Sequence, residues 1–355
     1  MPKHTVFLIH GIGAHGRDWS EKLDGPIETL KRMSEKYEYF AQKPLVEKVD
    51  FVPIHYDDIF QKATTRWQND ATFLREHDPT GLSGELVGWL GNASATEKNF
   101  WWTNVCDLVL YRLSSSYRSL VRTHVIDQMA QRIQALFDVD RAATCSIFAH
   151  SMGTAVAHDS AHLLGSVRWG GRANPLGPTH WRFNHIIMVS NTSRLLQTTD
   201  ANMKRAYESI VRPGPNEDAA SYCKTYLNIR HEADLVPFPR MFDPAGWGNS
   251  YSNVRVLHFR GFDVHNLSHH LINPRVHIPI LRKIAQPKAV THDEEIREVN
   301  EDRFPQFAGP LERVQQLKEL PQKLKAIEAA LGSDPSIVQL ARSLVSFCSV
   351  MSEIV

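Results

Sequence analysis

Three short stretches hold residues whose types and order could take a proton from a hydroxyl and break an acyl bond. The first is IFAHSMGTAVAH, residues 147–158. In it Ser151 lies between an apolar run, CSIFA, and a run of small helix-forming residues, GTAVAHDSAHLL. A serine hydroxyl is a weak nucleophile, so it needs a base, a group that orients the base, and donors for the oxyanion that forms. The second stretch, YLNIRHEADLVPF, ends a strand-like run at Asp234, with Glu232 two residues earlier as the rival carboxylate. A carboxylate at a strand tip can accept an imidazole N–H and hold the ring in the productive tautomer. The third, RGFDVHNLSHHLINP, follows the apolar run VRVLHF. It presents His265 first, with His269 and His270 at the start of a helix. His265 is the expected base and His269 the alternative. With 18 histidines in the chain, a histidine alone says little, but one at this place in the order Ser, Asp, His says more.

Ser151 has the strand–turn–helix context of a nucleophile elbow. The turn is tight, so the positions two before and two after the serine must be small, and here they are Ala149 and Gly153. Ala149 departs from the usual glycine but has only a methyl to place. The first strand exits into His10-Gly11-Ile12-Gly13. Backbone N–H groups there and at Met152 would form an oxyanion hole, with Ile12 and Met152 as the expected donors. The rival reading, a phosphate cradle, lacks an acidic residue after a second strand and the lysine and hydroxyl of a P-loop. His158 and His162 stand four apart on one helix, but aspartate follows the first where a zincin has glutamate. They read as helix-surface histidines, and no metal or other cofactor is expected.

These loops need a scaffold that brings strand ends to one edge. Short apolar runs recur at Thr5–Ile9, Val49–Ile54, Thr144–Phe148, His185–Val189, Thr225–Ile229 and Val254–Phe259, apolar almost throughout, as buried parallel strands are. Helical patterns at Glu21–Tyr37, Ser119–Phe137 and Gly153–Leu164 alternate with them, which predicts an α/β fold with a doubly wound, mostly parallel sheet of about six strands. The long connection between the second and third strands, with Phe100-Trp101-Trp102, predicts a helical cap inserted at about 56–140. The tryptophan pair either fills that cap's core, the preferred reading, or lines an acyl pocket. The strand-bearing part then spans 1–285, and 286–355 is a helical extension with amphipathic stretches at Leu311–Leu331 and Ser336–Val355. Those helices either pack on the core or carry a partner surface.

Composition narrows the class further. Of 355 residues, 42% are hydrophobic and 22% charged, with a net charge of +1, which argues against disorder and against a dedicated nucleic-acid binder. No apolar run reaches the length of a membrane span. MPKHTVFLIHGIG reads as a strand and not a secretory signal. Cys106, Cys145, Cys223 and Cys348 are scattered without CxxC spacing, so isolated buried thiols and a cytoplasmic setting are expected, export without a cleavable signal staying open.

The pattern resembles the α/β-hydrolase superfamily, and within it the bacterial lipase and esterase group with an AHSMG-type elbow and an HG oxyanion loop. Asn228-Ile-Arg-His-Glu-Ala-Asp234-Leu-Val-Pro is similar to the acid-bearing strand of those enzymes, and His265 with Leu271-Ile-Asn-Pro274 to their histidine loop. The resemblance spans roughly 4–285, begins at the strand that larger members number third, and implies a reduced sheet. It implies a serine carboxylic-ester hydrolase with the catalytic triad Ser151, His265 and Asp234, acting on a small-molecule or lipid ester. Peripheral membrane contact is compatible with such a substrate. Rates should fall at acid pH as the base protonates. Acyl transfer or amide cleavage by the same triad stays open, as does an idle hydrolase fold acting through its C-terminal helices. Substrate chain length and oligomeric state are not readable from the residues.

Overall fold

The structure is a computed structural model that describes residues 3–11, 16–59, 62, 111, 115–166, 174–196, 209–214, 221–232, 234, 236–237, 241–244, 246–256 and 265–301. The chain divides into two compact units. Met1–Gly11, Gly16–His55 and Arg122–Ala308 form one, and Ile12–His15, Tyr56–Val121 and Gly309–Val355 form the other. Apart from residues 115–121, which belong to the second unit, the elements described below lie in the first. The expected cap, with Trp101 and Trp102, lies mostly outside the described residues, and the two C-terminal amphipathic stretches lie wholly outside them.

Six strands form a single sheet: β1 (His4–Ile9), β2 (Val49–Ile54), β3 (Cys145–His150), β4 (Phe183–Val189), β5 (Cys223–His231) and β6 (Tyr251–Val256). Their order is β2-β1-β3-β4-β5-β6, and every neighbouring pair is parallel. Parallel neighbours need a crossover between them, which is why helical segments alternate with strands in the sequence. Helices α1 (Pro26–Ser34), α2 (Glu38–Gln42) and α3 (Leu45–Lys48) lie between β1 and β2. Helix α4 (Ser115–Val139) precedes β3, and α5 (Met152–Ser166) follows it after one residue. Helices α6 (Leu267–Leu271), α7 (Pro274–Ile284) and α8 (His292–Glu301) come after β6.

Burial explains the apolar runs. In β1 every residue but His4 is buried, and the alternation of side chains sends Val6 and Leu8 into one core with Ile27 and Leu30 of α1 and Ile278 and Leu281 of α7. Pro26 opens α1 at a position where a missing N–H costs nothing. Asn266 and Asn273 cap α6 and α7, each accepting a backbone N–H two residues on, from Ser268 and Arg275.

The strand order places the site. From β1 the chain moves one way to β2, then returns past β1 to β3 and continues in the other direction. The reversal falls between β1 and β3. In open α/β sheets a crevice opens beyond the carboxyl ends of the strands at such a switch point. The residues leaving β1 and β3 at that edge are His10-Gly11 and Ser151.

Candidate active site

Ser151 is the one residue between β3 and α5, and it holds a left-handed backbone with φ of 55°. A non-glycine residue in that region costs about 1–3 kcal/mol and persists only where its surroundings over-determine it. Here they do. The Ser151 N–H donates to Val189 O at 2.9 Å, and its carbonyl accepts from the Thr154 Oγ1 hydroxyl at 2.6 Å and the Thr192 Oγ1 hydroxyl at 2.9 Å. The chain leaving β4 thus clamps the turn that holds the serine.

Close approach explains the small residues. A Cβ on Gly153 would lie 2.0 Å from His10 O, so the first turn of α5 sits directly against the exit of β1. A Cβ on Gly11 would lie 2.9 Å from Ser151 Cβ and 3.4 Å from Ser151 Oγ, so the backbone after β1 passes against the serine itself. The His10 ring donates Nδ1–H to Gly11 O at 2.7 Å and packs edge-on to Trp19, which fixes that peptide.

The three expected side chains meet. His265 Nε2 is 2.7 Å from Ser151 Oγ, and His265 Nδ1 is 3.0 and 2.9 Å from the two carboxylate oxygens of Asp234. An ionised carboxylate only accepts, so Nδ1 carries the ring proton and the bare Nε2 accepts from the serine hydroxyl. Asp234 is 2% exposed. Burial works to raise its pKa, but the charge and N–H of His265 and a hydroxyl from Ser190 outweigh it and hold the carboxyl below its ordinary value. Asp234 Oδ1 also accepts the Val236 N–H at 3.1 Å. The rival Glu232 is engaged elsewhere, 3.4 Å from Arg230 Nε and 3.8 Å from Arg255 Nε. The alternative base His269 is in α6, whereas His265 faces the serine directly before that helix.

Met152 opens α5, and N–H groups in a helix's first turn have no acceptor within the helix. Its N–H, at the positive end of the helix dipole, is therefore placed beside the serine. Ile12, the other expected donor, lies outside the described residues.

Several contributors are invisible in the sequence pattern. His150 ends β3 and donates Nε2–H to His265 O at 2.8 Å, pinning the backbone at His265. Burial, then repulsion from His265 and His270, keep the His150 ring neutral, well below the ordinary imidazole range. Ser190 has a second left-handed backbone, φ of 53°, directly after β4. Its hydroxyl helps hold the Asp234 carboxyl below its ordinary value and sits 3.2 Å from His270 Nε2. The only trace of this in the sequence is a polar run, Ser190-Asn-Thr-Ser193, after an apolar strand.

One expectation fails. His158 and His162 are not on a helix surface but are 2% and 4% exposed, and His158 Nε2 bonds Ser209 Oγ at 2.9 Å. Every residue of α5 from Met152 through His158 is buried, so neither face of that stretch meets water. Burial lowers the His158 pKa to about 3. Cys145 and Cys223 are free and buried, and burial pushes the Cys145 thiol up to about 12. Among the described residues no three His, Cys, Asp or Glu side chains gather as a metal site would need, and no helix is long and apolar enough to cross a membrane. No protein-family model matches the chain, and no curated protein matches it.

Proposed function

We propose that this chain is a serine hydrolase of the α/β-hydrolase type, cleaving carboxylic esters through an acyl-enzyme. The observation that carries the reading is the unbroken hydrogen-bonded line from Ser151 Oγ through His265 to the buried Asp234 carboxylate, built on three strand exits at one sheet edge. The hydrolase fold and the cap over residues 56–140 belong to the same proposal. Support for the fold comes from the order Ser, Asp, His along the chain and from the switch point beneath the serine, and for the cap from the length of chain between β2 and β3.

The chemistry follows from the protonation states. As Ser151 Oγ attacks the ester carbonyl, its proton passes to His265 Nε2. The resulting imidazolium is held by the Asp234 charge on Nδ1. The carbonyl oxygen becomes an oxyanion beside the Met152 N–H, with Ile12 as the second donor. One such donor is typically worth about 10²–10³ in kcat. Collapse of this intermediate transfers the Nε2 proton to the departing alkoxide and leaves Ser151 acylated. Water then attacks the acyl group, giving its proton to the same nitrogen, and the acid departs as Ser151 recovers its proton. The left-handed turn at Ser151 holds the hydroxyl on the imidazole before substrate arrives, so little ordering is left for the reaction step.

A p-nitrophenyl ester series from acetate to palmitate tests this reading. Native protein should hydrolyse at least one chain length. Ser151→Ala should lower kcat by a factor on the order of 10⁴ or more while keeping the native melting temperature. Equal turnover by the folded alanine variant would refute it.

A further inference from the structure

The amino edge of the sheet, opposite Ser151, carries a cleft of about 970 Å³. His4 at the start of β1, Thr144 just before β3, His185 near the start of β4 and Thr225 near that of β5 line its base. Residues of α2, α3 and the end of α7 complete its lining. The whole chain carries a net charge of only +1. This cleft nevertheless gathers Lys3, Lys43, Lys48, Arg282 and Lys283 against one carboxylate, Glu47.

The blander account is a helix C-terminus offsetting its dipole with cations, and it covers Arg282 and Lys283 in the last turn of α7. Arg282 is indeed committed, donating to Glu295 at 2.7 Å and to Val290 O at 2.9 Å. It reaches Lys48 in the last turn of α3 as well, but it covers neither Lys3 nor the gathering of cations from separate elements on one cleft. Among the described residues no carboxylate lies in ion-pair reach of the four lysines. Lys3 donates to Val46 O, and Lys48 stands 5.4 Å from the centroid of the Tyr39 ring. Lys283 is the sharpest case. It is half-buried, burial holds its pKa below the ordinary lysine value, and Nζ donates to Thr225 Oγ1 at 2.9 Å. An ammonium carries three donors, and among the described residues Nζ has one hydroxyl acceptor, so donors remain for an anion in the cleft.

We propose that this cleft binds a small, multiply charged phosphate ligand, held by Lys283 with Lys43 and Lys48. Several ammonium groups spread over a cleft suit an anion with more than one charge, and lysine serves phosphate as a point charge. The volume falls in the range of small-molecule sites. Tyr39, Pro279 and Pro287 add apolar surface for the organic part of a phosphate ester. The site is at the far edge of the sheet from Ser151 and stands or falls apart from the hydrolase reading.

The test is calorimetric titration of the full chain with inorganic pyrophosphate at low salt, beside sedimentation with phosphatidylglycerol and phosphatidylcholine vesicles. Pyrophosphate should bind with Kd below about 1 mM. Lys283→Gln should weaken it roughly tenfold or more, Lys43→Gln with Lys48→Gln should do the same, and Lys22→Gln, outside the cleft, should not. The paired surface variant keeps the test decisive if Lys283→Gln folds poorly. Three results would each overturn the proposal: no binding up to about 10 mM, equal weakening by Lys22→Gln, or binding to phosphatidylglycerol vesicles without any response to pyrophosphate. Ester hydrolysis by all the lysine variants should match the native chain.

Discussion

At the residue scale, the account separates two neighbouring acids that the sequence left as rivals. Asp234→Asn leaves an amide where His265 Nδ1–H needs an acceptor, so the ring can settle in the wrong tautomer. Ester turnover should fall by about 10³–10⁴ with little change in KM. Glu232→Gln weakens only its contacts with Arg230 and Arg255 and should leave turnover within about twofold, as expected of partly exposed ion pairs. Steady-state kinetics on one ester decide between them, and the reverse ranking would move the orienting role to Glu232. Gly11→Ala tests the close approach beside Ser151. Its new methyl would sit 2.9 Å from Ser151 Cβ, so it should lower kcat at least about tenfold in a chain that still folds.

At the element scale, Gly153→Ala forces α5 and the exit of β1 apart, because its Cβ would meet a backbone carbonyl at 2.0 Å. A loss of about 1–3 kcal/mol is expected in guanidinium unfolding. An unchanged midpoint would mean that the two elements are not in contact as described. The inner strands were legible because parallel strands buried on both faces read as apolar runs; the six expected runs overlap β1–β6, although the edge strands β2 and β6 are only partly buried. Ends moved where hydrogen bonding and not hydropathy sets them. The helix expected from Glu21 begins at Pro26, after a series of turns through Trp19 and Ser20. Ser151, Asp234 and His265 were legible because each follows its own strand. His150 and Ser190 were not, because their roles come from backbone direction and neighbours on other strands, which no local pattern encodes. The burial of His158 and His162 was missed for a related reason. A helix over a switch point meets protein all round, so two histidines on it do not mark a wet face.

At the scale of the whole molecule, the buried histidines make the fold acid-sensitive. Burial lowers the pKa of His158 and of His270 to about 3, the latter with Asp234 opposing. The unfolded chain protonates both near the ordinary imidazole value of about 6.5. Between those values the unfolded state binds more protons, so stability falls as pH drops through the window, by up to about 1.4 kcal/mol per unit for each ring. The depressed Asp234 pKa acts in the same sense below the ordinary carboxylate value, because the unfolded carboxyl takes its proton first. Guanidinium unfolding at pH 7 and pH 5 should show a loss of roughly 2–4 kcal/mol, and equal stabilities would mean that these rings are not held neutral.

The central claim is that Ser151 is an activated nucleophile, and labelling with a fluorophosphonate probe tests it most directly. The account predicts one covalent adduct per chain, located on the peptide carrying Ser151, absent from folded Ser151→Ala and strongly slowed in His265→Ala. A folded native chain that stays unlabelled, with and without detergent, would contradict it, as would a chain labelled equally well without Ser151.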